Sequence, residues 1–100
     1  MRILAGTSRG LYRIDGAAAT QVLDKPLVRE LATIGDRLFA GSSQGLFVSD
    51  DQGASWSAAG LEGLAVWQVR GSADGRVLYA GVEPAALYRS VDGGAHWTAI

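Results

Sequence analysis

Ser49-Asp50-Asp51-Gln52-Gly53-Ala54-Ser55-Trp56 returns later in the chain as Ser90-Val91-Asp92-Gly93-Gly94-Ala95-His96-Trp97. Both obey one pattern, S-x-D-x-G-x-[S/T/H]-W. Working outward, each copy is preceded by two short apolar runs. Before the first copy stand Leu38-Phe39-Ala40-Gly41 and Gly45-Leu46-Phe47-Val48; before the second stand Leu78-Tyr79-Ala80-Gly81 and Ala86-Leu87-Tyr88-Arg89. A third pair, Ile3-Leu4-Ala5-Gly6 and Gly10-Leu11-Tyr12-Arg13, opens the chain. The spacings are 35 residues (from 3 to 38) and 40 residues (from 38 to 78). The chain is therefore an internal repeat, and the repeat unit governs the fold.

Short apolar runs between Gly and Asp clusters read as strands and tight turns. The chain has 14 Gly and only 2 Pro, in keeping with that reading. The Ala-rich Gly16-Ala17-Ala18-Ala19 is too short for a helix and has no apolar stripe at helical spacing. A period near 40 residues with four short strands predicts propeller blades, since helical repeats of that period need two helices per unit. The expected fold is all-β, a partial β-propeller of four-stranded antiparallel blades with eleven strands. Residues 1–24 form an incomplete first blade with strands B (2–6), C (11–14) and D (20–23). Residues 25–60 form the second, with A at 27–34, B at 37–41, C at 46–49 and D at 55–59. Residues 61–100 form the third, with A at 65–71, B at 76–81, C at 86–90 and D at 96–100. Two full blades and a three-stranded remnant are too few for a ring.

The repeated octapeptide falls between strands C and D, and there the chain resembles the Asp-box or BNR-repeat family. That family includes sialidases, sortilin-type receptors and photosystem assembly factors. The resemblance covers nearly the whole chain and implies a sialidase-like propeller fold with Asp-box hairpins; it implies little about function. The physical reading agrees. Asp51 and Asp92 can accept hydrogen bonds from backbone N–H groups two residues on. Gly53 and Gly94 can take φ > 0 without steric cost. Trp56 and Trp97 open strand D and can fold under the turn, each burying ~150–250 Å². Ser49 and Ser90 can tie the other side. The expected role of all eight is structural. The first repeat keeps only Asp15-Gly16 of the pattern. Tyr12-Arg13-Ile14-Asp15 faintly resembles the F/Y-R-I-P motif of sialidases, but it aligns with strand C of the third repeat and lacks the Pro, so it reads as a worn repeat.

The chemistry is sparse. A sialidase needs three arginines, a Tyr–Glu pair and an acid Asp converging at the ring centre. Here Arg29, Glu30 and Arg70 fall on inner strands and can face a central channel, where solvated lining accounts for them. His96 is the lone histidine and holds the S/T position of its box, so no metal site is expected. The absence of cysteine removes disulfides and thiolate ligands. Gly71-Ser72-Ala73-Asp74-Gly75 is a turn with no helix behind it, not a phosphate loop. No catalytic residue and no cofactor is expected.

Composition narrows the partners. Hydrophobic residues make up 48%, enough to bury a core, and the net charge of -1 carries no run of one sign. A nucleic-acid or acidic-membrane footprint is not expected. No stretch approaches the ~20 apolar residues of a membrane span. Met1-Arg2-Ile3-Leu4-Ala5-Gly6 has no signal-peptide character, so a cytoplasmic location is expected. The leading reading is a scaffold or interaction module that completes a ring by self-association, a homodimer before a trimer. Phe47, Trp67 and Tyr88 are candidate contacts between blades. The B–C loops at 7–9, 42–44 and 82–85 are candidates for a protein or carbohydrate contact. The alternatives are an N-terminal piece of a glycosidase-like enzyme and an engineered propeller fragment.

Overall fold

The computed structural model describes residues 2–100 and is all-β. Among the described residues there are eleven strands and no helix, in three antiparallel sheets that follow one another along the chain. The first sheet holds β1 (Arg2–Thr7), β2 (Gly10–Asp15) and β3 (Ala18–Leu23), in that order. The second holds β4 (Glu30–Ile34), β5 (Arg37–Ser42), β6 (Gly45–Ser49) and β7 (Ser57–Ala58). The third holds β8 (Ala65–Gly71), β9 (Leu78–Glu83), β10 (Ala86–Ser90) and β11 (Thr98–Ala99). The sheets are open. β1, β4 and β8 form one edge of each, and β3, β7 and β11 the other.

The registers make the sheets copies of one another. Gly6 pairs with Leu11, Gly41 with Leu46 and Gly81 with Leu87. Leu4 pairs with Arg13, Phe39 with Val48 and Tyr79 with Arg89. Directly paired residues share a face, so each set lies at the same place on its sheet.

Some boundaries differ from the sequence reading. The second sheet's first strand begins at Glu30, not Leu27. Leu27 takes φ 53°, and the N–H groups of Leu27 and Val28 leave their own sheet to bond Ser8 O and Thr7 O of the first, each at 3.0 Å. β9 begins at Leu78, not Arg76, because the turn before it reaches Val77, whose N–H bonds Ser72 Oγ and whose carbonyl accepts from Ser72 N. β7 and β11 are only two residues long, because the octapeptide turn before each consumes the chain. Where that turn is replaced by the two residues Gly16 and Ala17, β3 runs a full six.

The core lies between the sheets. Leu11, Leu23, Val28, Ala40 and Phe47 fill the first junction. Ile34, Phe39, Leu46, Val66, Val69, Leu78, Ala80 and Val82 fill the second. Both junctions share one close approach. A Cβ on Gly6 would lie 2.5 Å from Val28 O, and a Cβ on Gly41 would lie 2.5 Å from Val66 O. Only glycine lets the backbone of the following repeat come so near. β5 is buried on both faces from Phe39 to Ser42, as the middle layer must be. β9 alternates instead: Leu78, Ala80 and Val82 are buried, while Tyr79 and Glu83 face out.

Candidate functional site

The two octapeptides fold into the same turn. Ser49 Oγ accepts from Gly53 N at 2.8 Å and donates to Asp51 Oδ1 at 2.7 Å. Ser90 Oγ accepts from Gly94 N at 2.9 Å and donates to Asp92 Oδ1 at 2.8 Å. Each carboxylate then reaches four residues on. Asp51 Oδ1 accepts from Ser55 N and Asp92 Oδ1 from His96 N, both at 2.9 Å. The expected Asp bond two residues on is therefore not made, because the serine hydroxyl takes that glycine N–H. The serines are buried and the aspartates exposed. Gly53 and Gly94 take φ 90° and 97°, the conformation that lets the chain turn back.

These donors hold both carboxylates below their ordinary range. Asp51 falls to about 2, first through the Ser55 hydroxyl, then the Ser55 N–H and the Ser49 hydroxyl. Asp92 is lowered further, first by the His96 side chain, whose Nδ1 lies 2.7 Å from Oδ2. Asp74 is lowered too, by the Ser72 hydroxyl and the Arg76 N–H of a smaller turn.

The tryptophans are half-buried, not fully enclosed. Trp56 Nε1 donates to Gly53 O of its own turn at 3.0 Å. Trp97 Nε1 donates across the junction to Ala59 O at 2.8 Å. Each turn also rests on the preceding sheet. A Cβ on Gly53 would meet Leu4 Cδ1 at 2.8 Å, and one on Gly94 would lie near Phe39 and Leu78.

The three channel candidates come together on β8 and the entry to β4. Glu30 accepts from Val69 N at 3.0 Å and from Arg70 Nη1. Arg29 stacks on the Trp67 ring, 4.8 Å from its centroid. Trp67 sits where the β8–β9 register slips between Val66 and Gln68. The Glu30 carboxylate thus joins two sheets, while the Arg70 side chain remains largely exposed. This arrangement can tie strands and present cationic groups; it contains no nucleophile paired with a base. Among the described residues no cluster of three metal-ligating side chains occurs.

Of the other expected contacts, Phe47 lies in the first junction and Tyr88 packs on the second. On the loops, Lys25, Gln44, Phe47, Ala58, Glu62 and Gly63 line a depression of about 420 Å³. A second groove, about 600 Å³, lies beside β1 and is lined by Gly6, Thr7, Ser8, Leu27, Val28, Arg29 and Leu31. Sequence reading missed three features. These are the glycine notches at Gly6 and Gly41, the Arg29–Trp67 stack, and the bond from Arg37 Nη2 to Gly93 O at 2.8 Å. The aligned Ala-Gly pairs were the available signal for the notches.

No protein-family model matches the chain, and no curated protein matches it. No helix among the described residues is long and apolar enough to cross a membrane.

Proposed function

We propose that this chain is a non-catalytic scaffold or interaction module of the β-propeller type, with Asp-box hairpins, completed by head-to-tail association of copies. One observation carries the reading. Leu11, Leu46 and Leu87 hold the same place on successive sheets, and their exposures are 0%, 1% and 44%. The first two are covered by the next repeat. The third is covered by no other of the described residues 2–100. Its neighbour Tyr79 is 40% exposed where the equivalent Phe39 is fully buried. A Cβ on Gly81 would meet only its own sheet's Gln68, at 3.9 Å.

The complementary face is on the same chain. Ala40 and Phe47 of the second sheet cover the first, and Leu78, Ala80 and Tyr88 of the third cover the second. The equivalent residues of the first sheet are Ile3, Ala5 and Tyr12, and Ile3 is 47% exposed. A second copy can therefore lay its first sheet on the third sheet of the one before. Such a heterologous contact closes into a ring when the rotation per copy divides a full turn. Apolar faces left open at both ends favour association.

Light scattering tests this. The parent chain at micromolar concentration should have the mass of a closed oligomer, dimer first and trimer next. Leu87→Asp should reduce it to a folded monomer, since the side chain is exposed within one copy. A parent chain that is monomeric, folded and cooperative in melting would sink the proposal.

A further inference from the structure

The depression of about 420 Å³ is built from separate pieces of the chain. Its floor is Phe47 and Ala58, which pair directly across β6 and β7 and so share a face. Lys25 comes from the segment between β3 and β4, Glu62 and Gly63 from the segment between β7 and β8, and Gln44 from the tip of the β5–β6 turn. Hydrogen bonds fix each of these walls. Pro26 O, next to Lys25, accepts from Ser43 N at 3.3 Å and from Ser43 Oγ at 3.0 Å. Gln44 N donates to Ser42 Oγ at 3.0 Å. Leu46 N donates to Gly60 O and Leu64 N to Leu61 O, both at 3.1 Å, which holds Glu62 and Gly63 against the same turn. The polar groups on this frame are unspent. Lys25 Nζ lies 5.8 Å from the centroid of the Phe47 ring, an attraction that keeps the ammonium over the floor. Among the described residues neither Lys25 nor Glu62 enters an ion pair, and the Gln44 side-chain amide makes no hydrogen bond.

The repeat does not require this set. Val28 and Val66 are equivalent, since their carbonyls meet Gly6 and Gly41 in the same way. Three residues before them stand Lys25 and Gly63. Phe47 and Ala58 correspond to Tyr88 and Ala99. The following repeat thus keeps an aromatic and an alanine on the floor and puts glycine where the cation stands. We propose that the depression is a binding site for a short zwitterionic peptide, a dipeptide with an apolar side chain, whose carboxylate meets Lys25 and whose ammonium meets Glu62. The volume sets the size of the ligand, for small-molecule cavities run from about 300 to 1,000 Å³ and this one lies near the lower end. The charges set its character. A ligand of one sign would satisfy one wall and leave the other uncompensated, whereas a zwitterion makes a charge-assisted hydrogen bond to each. The Gln44 amide offers a donor and an acceptor, the two groups that a peptide bond requires. The apolar side chain rests on Ala58 and the rim of Phe47. A sugar fits less well, because Phe47 is only 8% exposed and the Lys25 ammonium already lies over its ring.

The site lies within one copy and does not rest on ring closure. The test uses the full chain and the dipeptide L-alanyl-L-leucine, followed through the backbone amide resonances of Gln44 and Gly63. Both should shift saturably as the dipeptide is added. N-acetylation of the dipeptide, and separately amidation of its carboxylate, should each weaken binding by about tenfold or more, since each removes a hydrogen bond between charged groups. Lys25→Met keeps the apolar stem over Phe47; it should weaken the free dipeptide by the same factor as amidation and leave the amidated form unchanged. Glu62→Gln should do the same for the N-acetylated form. The absence of a saturable shift at Gln44 and Gly63, or equal binding of the free and the two blocked dipeptides, would overturn the proposal without recourse to any variant. Light scattering on the same samples reads the ring separately. Saturable binding by a chain that stays monomeric supports the site and refutes the ring; association without binding does the reverse.

Discussion

The turns at Ser49–Trp56 and Ser90–Trp97 share a pattern and an internal hydrogen-bond network, yet their tryptophans bond in different places. Trp97 reaches across to Ala59 O of the second sheet, and Gly60 lies under its ring. Trp56 bonds Gly53 O of its own turn. The neighbours account for the difference. The second sheet's outer strand stops at Ala58, so the next carbonyl is free to accept. In the first sheet, β3 stays in the ladder through Leu23, whose carbonyl lies against Gly10. An identical motif thus fixes the inside of the turn, while the adjoining sheet decides what the turn holds.

The largest expected effect is on the tryptophans. Trp97→Ala removes a half-buried ring, its packing on the second junction and a bond between sheets; the expected loss is about 3–4 kcal/mol. Trp56→Ala keeps the junction's polar bonds and should cost about 2–3 kcal/mol. Urea unfolding of the two variants measures both. Equal losses would break the comparison, because the crossing bond would then contribute nothing of its own.

The serines should behave alike, since their surroundings do. Ser49→Ala and Ser90→Ala each strip the partner from a buried glycine N–H and free one carboxylate oxygen. Each should cost about 1–3 kcal/mol, the range for a buried donor left unpaired. A difference between them beyond about 0.5 kcal/mol would show that the neighbouring sheet reaches the inside of the turn as well.

These contrasts mark how far the sequence could be read. The repeat alone located all eleven strands, because apolar runs and Gly-Asp clusters are local signals. The turn residues were legible for the same reason. Their bonding was not: Asp51 and Ser49 compete for the Gly53 N–H, and only the fold decides which wins. Leu27 at φ 53° carries no signal, being neither glycine nor asparagine. The Arg29–Trp67 stack depends on a register slip in β8 that no residue type announces. The destination of each tryptophan N–H depends on where a strand of another repeat ends.

A smaller effect isolates the crossing bond. Trp97→Phe keeps an aromatic ring and removes the donor to Ala59 O, and should cost about 1 kcal/mol, the net worth of one hydrogen bond. Trp56→Phe loses a bond within a single exposed turn and should cost about 0.5 kcal/mol. If the order reverses in urea melts, the bond across the junction is not what separates the two tryptophans.

The last difference is at the seventh position, Ser55 against His96, and acid should reveal it. Both Asp51 and Asp92 have folded-state values below the ordinary carboxylate range, so the folded chain binds fewer protons than the unfolded one as pH falls. Each therefore contributes stability that is whole above about pH 4 and is lost as pH falls through the folded value. For Asp51 that loss begins near the ordinary carboxylate value and is complete near pH 2. Asp92 is held lower, first by the hydrogen bond with the His96 side chain, then by the His96 N–H and the Ser90 hydroxyl. The turn with serine therefore completes its loss near pH 2, while the turn with histidine goes on losing stability at lower pH. Both carboxylates are exposed, so solvent screens the effect and the change should be the smallest of the series. Urea midpoints at pH 7 and pH 2.5 for His96→Ser and Ser55→His measure it. His96→Ser should flatten the acid loss, because it narrows the gap between the folded and unfolded values of Asp92, and Ser55→His should steepen it. Identical acid slopes for both variants and the parent would show that the seventh residue does not tune the turn.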